Sequence, residues 1–396
     1  MAKAGKGWLA GLMVLALMGC ASSDEEEIGI QVSPLPEIEA TVTADVVWRA
    51  SSGDGIDEYW SSLSPEVAYG KVFAAERFGL ITAYDQQTGK EIWTQNLRRE
   101  FALGALKKNN GARLSAGISH GFNRIFIGSE NGVLFALNQE TGEVDWQANT
   151  RGELLSDPAI VDGKVVVNTG SGKVQAFDVD SGELLWTYEL TMPSLVLRGT
   201  SGVASSQGAA LTGTPDGKLV AVFSQQGAPI WEARLAEASG SNELERVVDV
   251  DSKPLVLGQT VYGTAYNGNL AAVELRSGQI KWQRQYSSYA PMDLQGNALY
   301  LTDSSGTVYS VNRQNGLETW ANSSLTGRMV TGPAVIGNYL VVGDFEGYLH
   351  IMDRDSGTLV GRLQIDGSGL YTQPLVVDDK IYLQTRDGRI AVVTIG

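Results

Sequence analysis

The chain has 396 residues and a formal net charge of −15, so its surface repels nucleic-acid phosphates and anionic lipid. A single cysteine, Cys20, excludes an intramolecular disulfide, and two histidines, His120 and His350, exclude the usual zinc ligand sets. A hydrophobic content of 43% with 47 Gly describes a turn-rich globular chain and not a disordered one.

The first element is a leader. Lys3 and Lys6 precede an apolar run from Trp8 to Met18, a charged region followed by a short hydrophobic one. The run is too short to be a good membrane-spanning helix. Leu17-Met18-Gly19-Cys20 resembles the bacterial lipobox, in which cleavage falls before a lipidated Cys; the bland alternative is a chance Cys after an ordinary signal peptide. The spacing predicts a signal peptide over 1–19, with Cys20 as the lipid attachment site. Ala21 and Ser22 follow, without the Asp that retains Gram-negative lipoproteins at the inner membrane. That resemblance implies anchoring in the outer membrane, facing the periplasm. Residues 20–43 read as a tether, with a solvated acidic run at Asp24-Glu25-Glu26-Glu27 and stiffening at Pro34 and Pro36.

From residue 44 to 396 the chain repeats. Gly, nine residues, Gly, three residues, Trp recurs at Gly79/Gly89/Trp93, Gly132/Gly142/Trp146, Gly172/Gly182/Trp186, Gly217/Gly227/Trp231, Gly268/Gly278/Trp282 and Gly306/Gly316/Trp320. A seventh copy, Gly347/Gly357, has Gly361 in place of the Trp, and an eighth begins at Gly388 and stops at Gly396. Each copy offers a β-branched run, a turn at the first Gly and an alternating strand such as Lys173 to Phe177. A second turn holds an Asp/Gly pair such as Asp178/Gly182, and an outer strand ends at the Trp. The Trp-to-Trp steps of 53, 40, 45, 51 and 38 residues suit four short strands each, one propeller blade. The eighth copy lacks an outer strand, and Val46-Val47-Trp48 is a Trp-bearing strand without inner ones. Pairing the two chain ends predicts an all-β, eight-bladed propeller of four-stranded antiparallel blades, closed without free edges. Its weak link is blade four, where Phe223 replaces the turn Asp.

Three connections after a Trp are long: Arg98 to Ser115, Leu190 to Gln207 and Leu235 to Pro254. Strand alternation puts all three on one face, opposite the tight Asp–Gly turns, and function on a rigid scaffold usually lies in such loops. Leu195, Leu197 and Arg198 in the second, with Asp249 and Asp251 in the third, suit a docking patch with an apolar centre and a charged rim. The competing reading makes Leu195 and Leu197 the start of the next inner strand. The first loop, with Arg98, Arg99, Lys107 and Lys108, reads as a solvated basic loop.

No nucleophile elbow, phosphate loop or dinucleotide glycine pattern is present. Asp178 to Gly182 and Asp353 to Gly357 imitate calcium loops, but reach Gly one residue early and lack the distal Glu. No carboxylate pair stands out as acid and base, so catalytic, metal and cofactor-binding residues are all expected to be none.

Ala83 to Trp93 (AYDQQTGKEIW) and Ala176 to Trp186 (AFDVDSGELLW) are similar to the propeller repeat of the pyrroloquinoline quinone enzymes. Those enzymes hold the quinone at the propeller axis, often beside a vicinal disulfide and calcium; this chain has no Cys pair. Lipobox, acidic tether and eight blades together resemble the BamB family of the outer-membrane β-barrel assembly machinery. The resemblance extends to Pro193–Gly199 (PSLVLRG), Asp249–Asp251 (DVD) and Tyr266–Trp282. It implies a non-enzymatic scaffold, one copy within a hetero-complex, that binds the POTRA domains of BamA through Leu195, Leu197, Arg198, Asp249 and Asp251. Unfolded outer-membrane clients are a further implied partner, by strand pairing at blade edges. Two alternatives stand beside it: a quinone-dependent dehydrogenase and a ligand-sensing periplasmic propeller.

Overall fold

Each repeat folds into four short antiparallel strands, and the computed structural model, which describes residues 33–98 and 111–396, gathers them into eight four-stranded sheets. The leader, Cys20, Arg99, Lys107 and Lys108 lie outside the described residues. Blade 3 is typical: strands Ala159–Val161, Lys164–Thr169, Lys173–Asp178 and Leu184–Glu189 lie side by side in chain order. The second strand is buried throughout, because neighbouring blades cover both its faces. In the turn before the outer strand, Asp178 Oδ1 accepts from the amides of Asp180 (3.1 Å) and Ser181 (2.9 Å). One expectation needs correcting: the outer strand does not end at the Trp. Trp186 sits in its middle, opposite Ala176, beside a bulge at Ala176/Phe177.

The Trp joins successive blades. Seven indoles (Trp48, Trp93, Trp146, Trp186, Trp231, Trp282 and Trp320) each donate from Nε1 to a carbonyl in the next blade's tight turn, at 2.7–3.1 Å. Each ring lies on that turn's Gly: Gly89, Gly142, Gly182, Gly227, Gly278, Gly316 and Gly357, at φ between 69° and 75°. A Cβ there would meet the indole closer than 3.0 Å, so the second Gly of the repeat answers both to backbone conformation and to the neighbour's Trp.

The chain ends meet as expected. Ala44–Ser51 pairs antiparallel with Arg389–Ile395, completing the last blade in the order N-terminal strand, Arg389–Ile395, Lys380–Gln384, Leu375–Val377. Trp48 is 8% exposed and latches onto blade 1 at Gln86. The missing Trp of blade 7 has a cause: a Cβ on Gly361 would lie 2.6 Å from the carbonyl of Val42. The chain's own N-terminal segment crosses where the indole would go. In blade 4, Phe223 projects to solvent, and the turn keeps its Gly227 N–H to Phe223 C=O bond at 2.8 Å without a side-chain acceptor.

The connections 190–203 and 235–254 share one face with the turns between second and third strands. A further long connection, residues 52–65, joins the N-terminal strand to blade 1 and belongs with them. Among the described residues no helix is long and apolar enough to cross a membrane.

The latch geometry makes a paired prediction. Gly163 (φ 75°) has open space where a Cβ would sit, whereas Gly182 (φ 71°) faces the Trp146 indole. Gly163→Ala carries the left-handed backbone cost alone, about 1–2 kcal/mol. Gly182→Ala adds overpacking of about 1–3 kcal/mol. Urea denaturation of both variants checks this; equal losses would remove the latch.

Candidate functional site

The two candidate loops meet between blades 3, 4 and 5. Leu190 leaves the outer strand of blade 3 with its amide on the Gly172 carbonyl (2.8 Å), and Pro193 prevents strand continuation. The next inner strand starts only at Ala204, and residues 191–203 form no strand. Leu195 is exposed (39%) and Leu197 half-buried, so neither begins a strand, and the core reading of this pair is wrong for Leu195. The other loop inverts the pattern. Val247, Val248 and Val250 are buried beneath it, and its tip is a short turn in which Glu245 accepts from the Ser241 amide (2.6 Å) and from Asn242 Nδ2 (2.9 Å). Ser194 Oγ donates to Glu243 Oε2 at 2.8 Å and ties the two tips together.

The acidic pair sits behind the aliphatic segment. Asp249 is 1% exposed, and its Oδ2 finds no hydrogen-bond partner among the described residues. Burial raises its carboxyl to about 6, against donation from the Leu197 amide, which favours the charged form. Asp251 is raised to about 7, by burial first and then by the charge of Asp249. Its carboxylate backs onto Gly199, where a Cβ would lie 2.8 Å from Oδ2. Asp249 and Asp251 thus shape the loop that carries Leu195, Leu197 and Arg198, and line a narrow cleft with Met192, Val196 and Thr214.

Arg198 is half exposed and held from the side. Its Nη2 donates to Glu130 Oε1 at 2.9 Å, and Nη1 lies 3.7 Å from Glu153 Oε2. Glu130 is itself gripped by Arg77 through two bonds of 2.6 and 2.7 Å, which with Arg198 hold its carboxyl below the usual range against the opposing effect of burial. The Arg77 guanidinium lies 4.0 Å over the Tyr59 ring. Tyr59 and Trp60, in the connection 52–65, are 52% and 41% exposed. A continuous line therefore crosses the loop face: Tyr59, Arg77, Glu130, Arg198, then Leu195. The sequence reading missed Tyr59, Trp60, Arg77 and Glu130. Trp60 carried a signal, being off the repeat position that seven other Trp residues occupy. Arg77 and Glu130 carried none, because their contacts cross blades.

Of the histidines, His120 is half exposed and bonded to Glu66, which raises its pKa; His350 is buried against Asp344 at 2.9 Å. Among the described residues no three His, Cys, Asp or Glu side chains group to hold a metal ion.

The described residues form an eight-bladed repeat propeller with its long connections on one face. The family profile described as outer membrane protein assembly factor BamB matches residues 39–112, 77–322 and 305–395. The assembly factor of that name from Shewanella oneidensis is 50% identical over 386 residues, covering 98% of this chain and 97% of its own. The crystal structure of BamB from Moraxella catarrhalis superposes with a TM-score of 0.79 at 26% identity, covering 89% of this chain and all of its own. A quinohemoprotein alcohol dehydrogenase from Pseudomonas putida, 14% identical, has a TM-score of 0.69 over 92% of this chain and 78% of its own, a likeness of fold alone. The chain belongs to the BamB family.

Two predictions follow from the charges. Unfolded Asp titrates near 3.8 and folded Asp251 near 7, so between those values the folded state holds protons that the unfolded state has released. Stability on this account falls as pH rises from 4 to 7. Asp251→Asn removes the effect, so its unfolding free energy gains on the parent by about 1 kcal/mol or more between pH 4 and pH 8. A difference independent of pH in urea titrations would refute the coupling. Separately, Glu130→Ala leaves Arg77 buried without its partner, at a cost of about 3–5 kcal/mol. It also frees Arg198, so trypsin cleavage after that residue accelerates, and unchanged cleavage would deny the tie.

Proposed function

We propose that this protein is a non-enzymatic scaffold in outer-membrane β-barrel assembly, anchored through a lipid on Cys20 to the periplasmic side of the outer membrane. In this reading residues 1–19 are removed, the part of the expected 20–43 tether ahead of Ser33 links Cys20 to the propeller, 33–43 being bonded onto blade 7, and the loop face binds the POTRA domains of BamA. Leu195 and Leu197 supply the apolar contact, Arg198 a charged anchor, and Asp249 and Asp251 the support that holds their loop. Tyr59 and Trp60 extend the surface across blade 1. Unfolded barrel strands are a second class of partner, aligned near the insertase by the docked propeller.

The observation that carries the reading is an exposed leucine beside an arginine held by a buried carboxylate. It lies on a chain 50% identical over nearly its full length to a protein named for outer-membrane protein assembly. Arginine is enriched among binding hot spots, and the exposed leucine beside it adds an apolar contact to that anchor. Fixing Arg198 in advance also lowers the side-chain ordering cost of binding. Support for the non-enzymatic part comes from the assembly-factor names of the relatives, the quinoprotein likeness being of fold alone.

The test is binding of the purified propeller to the periplasmic region of BamA. Leu195→Ala combined with Arg198→Ala is expected to weaken the affinity at least tenfold, about 1.4 kcal/mol. The β circular dichroism stays unchanged, because Glu130 keeps Arg77. Unaltered affinity would remove the patch.

A further inference from the structure

The segment ahead of the first strand is fastened along its described length. Arg328, 1% exposed, donates from Nη1 to the Ser33 carbonyl at 2.7 Å. Its other nitrogens are taken by Asp344, at 2.8 Å, and by Glu346. Arg362 donates to the Pro36 carbonyl. The amides of Thr41 and Val42 both donate to the Val360 carbonyl, at 2.9 and 3.1 Å. Ile38 packs against the apolar cluster containing Leu325 and Leu359. Residues 33–43 are a strap over the outer edge of blade 7.

The direction of the strap decides where the chain leaves. Val360 is near the start of the outer strand Leu359–Gln364, next to the tight turn. Arg328 lies in the connection between blades 6 and 7, and Asp344 and Glu346 lie in the turn between the second and third strands of blade 7. Those two connection types form the face that carries Leu195 and Arg198. Followed toward the N-terminus, the strap climbs from the tight-turn face to the loop face, and Ser33 departs there. It departs three blades round from Arg198.

Cys20 precedes Ser33 by 13 positions, an extended reach of at most about 45 Å. A six-residue strand alone rises about 20 Å, so turning the tight-turn face to the membrane would send the tether back round the disc and use nearly half of that reach. The acidic run Asp24 to Glu27 also disfavours lying flat along anionic lipid.

We propose that the anchored protein turns its loop face toward the membrane surface, and that the strap on blade 7 sets this orientation. The inference rests on Cys20 being the lipid attachment site. Because Cys20 is the single cysteine, one introduced thiol can be labelled in the lipidated protein. Thr326→Cys reports from the loop face beside blade 7, and Asp355→Cys from the tight-turn face of the same blade. On phosphatidylethanolamine–phosphatidylglycerol vesicles doped with nitroxide-headgroup lipid, the label at position 326 is quenched at least twofold more than that at 355. A twenty-residue Gly/Ser insertion between Val32 and Ser33 leaves folding intact and makes the two equal. Flotation with equal quenching in the uninterrupted chain overturns the orientation alone. Failure of the lipidated protein to float with vesicles, matching Cys20→Ala, overturns the anchor and the orientation with it.

Discussion

Everything on this ring depends on one contact: an indole laid on the glycine of the next blade's turn, with its N–H on that turn's carbonyl. A four-stranded blade cannot bury both of its faces alone, so stability arises between blades. Truncating a buried Trp typically costs about 3–5 kcal/mol, and the contact recurs at seven blade boundaries. The Gly is fixed twice over, by φ and by the ring above it. That double requirement explains why the Gly–Trp spacing survives where the turn Asp does not, as at Phe223.

The eighth boundary is solved differently. Blade 7 has Gly361 where an indole would collide with Val42, and the boundary is sealed by the strap's own backbone bonds to Val360. Val42, Ala44 and Val46 fill the gap against Ile351 and Leu363. Ring closure and tether attachment are therefore one structural event: the residues that complete the last blade run directly out of the segment that leads toward Cys20. The first and last strands are joined across most of the chain's length, Ala44 pairing with Ile395 and the Gly396 amide donating to the Thr43 carbonyl at 3.0 Å.

Much of this was legible in the residues. Repeat length, turn pairs and the orphan strand at Trp48 set the blade number and closure, because turn chemistry and period-two patterning are local. What was illegible was non-local. Nothing near Glu130 announces that Arg77 and Arg198 converge on it from 53 and 68 positions away. The exposure of Leu195 was ambiguous because an aliphatic triplet after a Pro suits both a buried strand and a displayed loop. Asp249 looked like a rim charge and proves to be nearly buried, because the valines on either side drag the backbone into the core. Gly361 was visible as a gap in the pattern, but its cause lay over three hundred residues upstream.

The distinction between ring and site also decides how far fold likeness reaches. A quinohemoprotein dehydrogenase shares the ring at 14% identity, a likeness of fold that carries no function with it. The loop face answers to a different constraint. Arg198 sits at the end of a chain of charges reaching back to Arg77, itself 4% exposed, and one buried oxygen of Asp249 has no hydrogen-bond partner among the described residues. Buried charge of this kind is weak evidence of stability, because desolvation offsets much of the Coulomb attraction. What these groups do on this face is hold the Arg198 guanidinium and its loop in place beside the exposed Leu195.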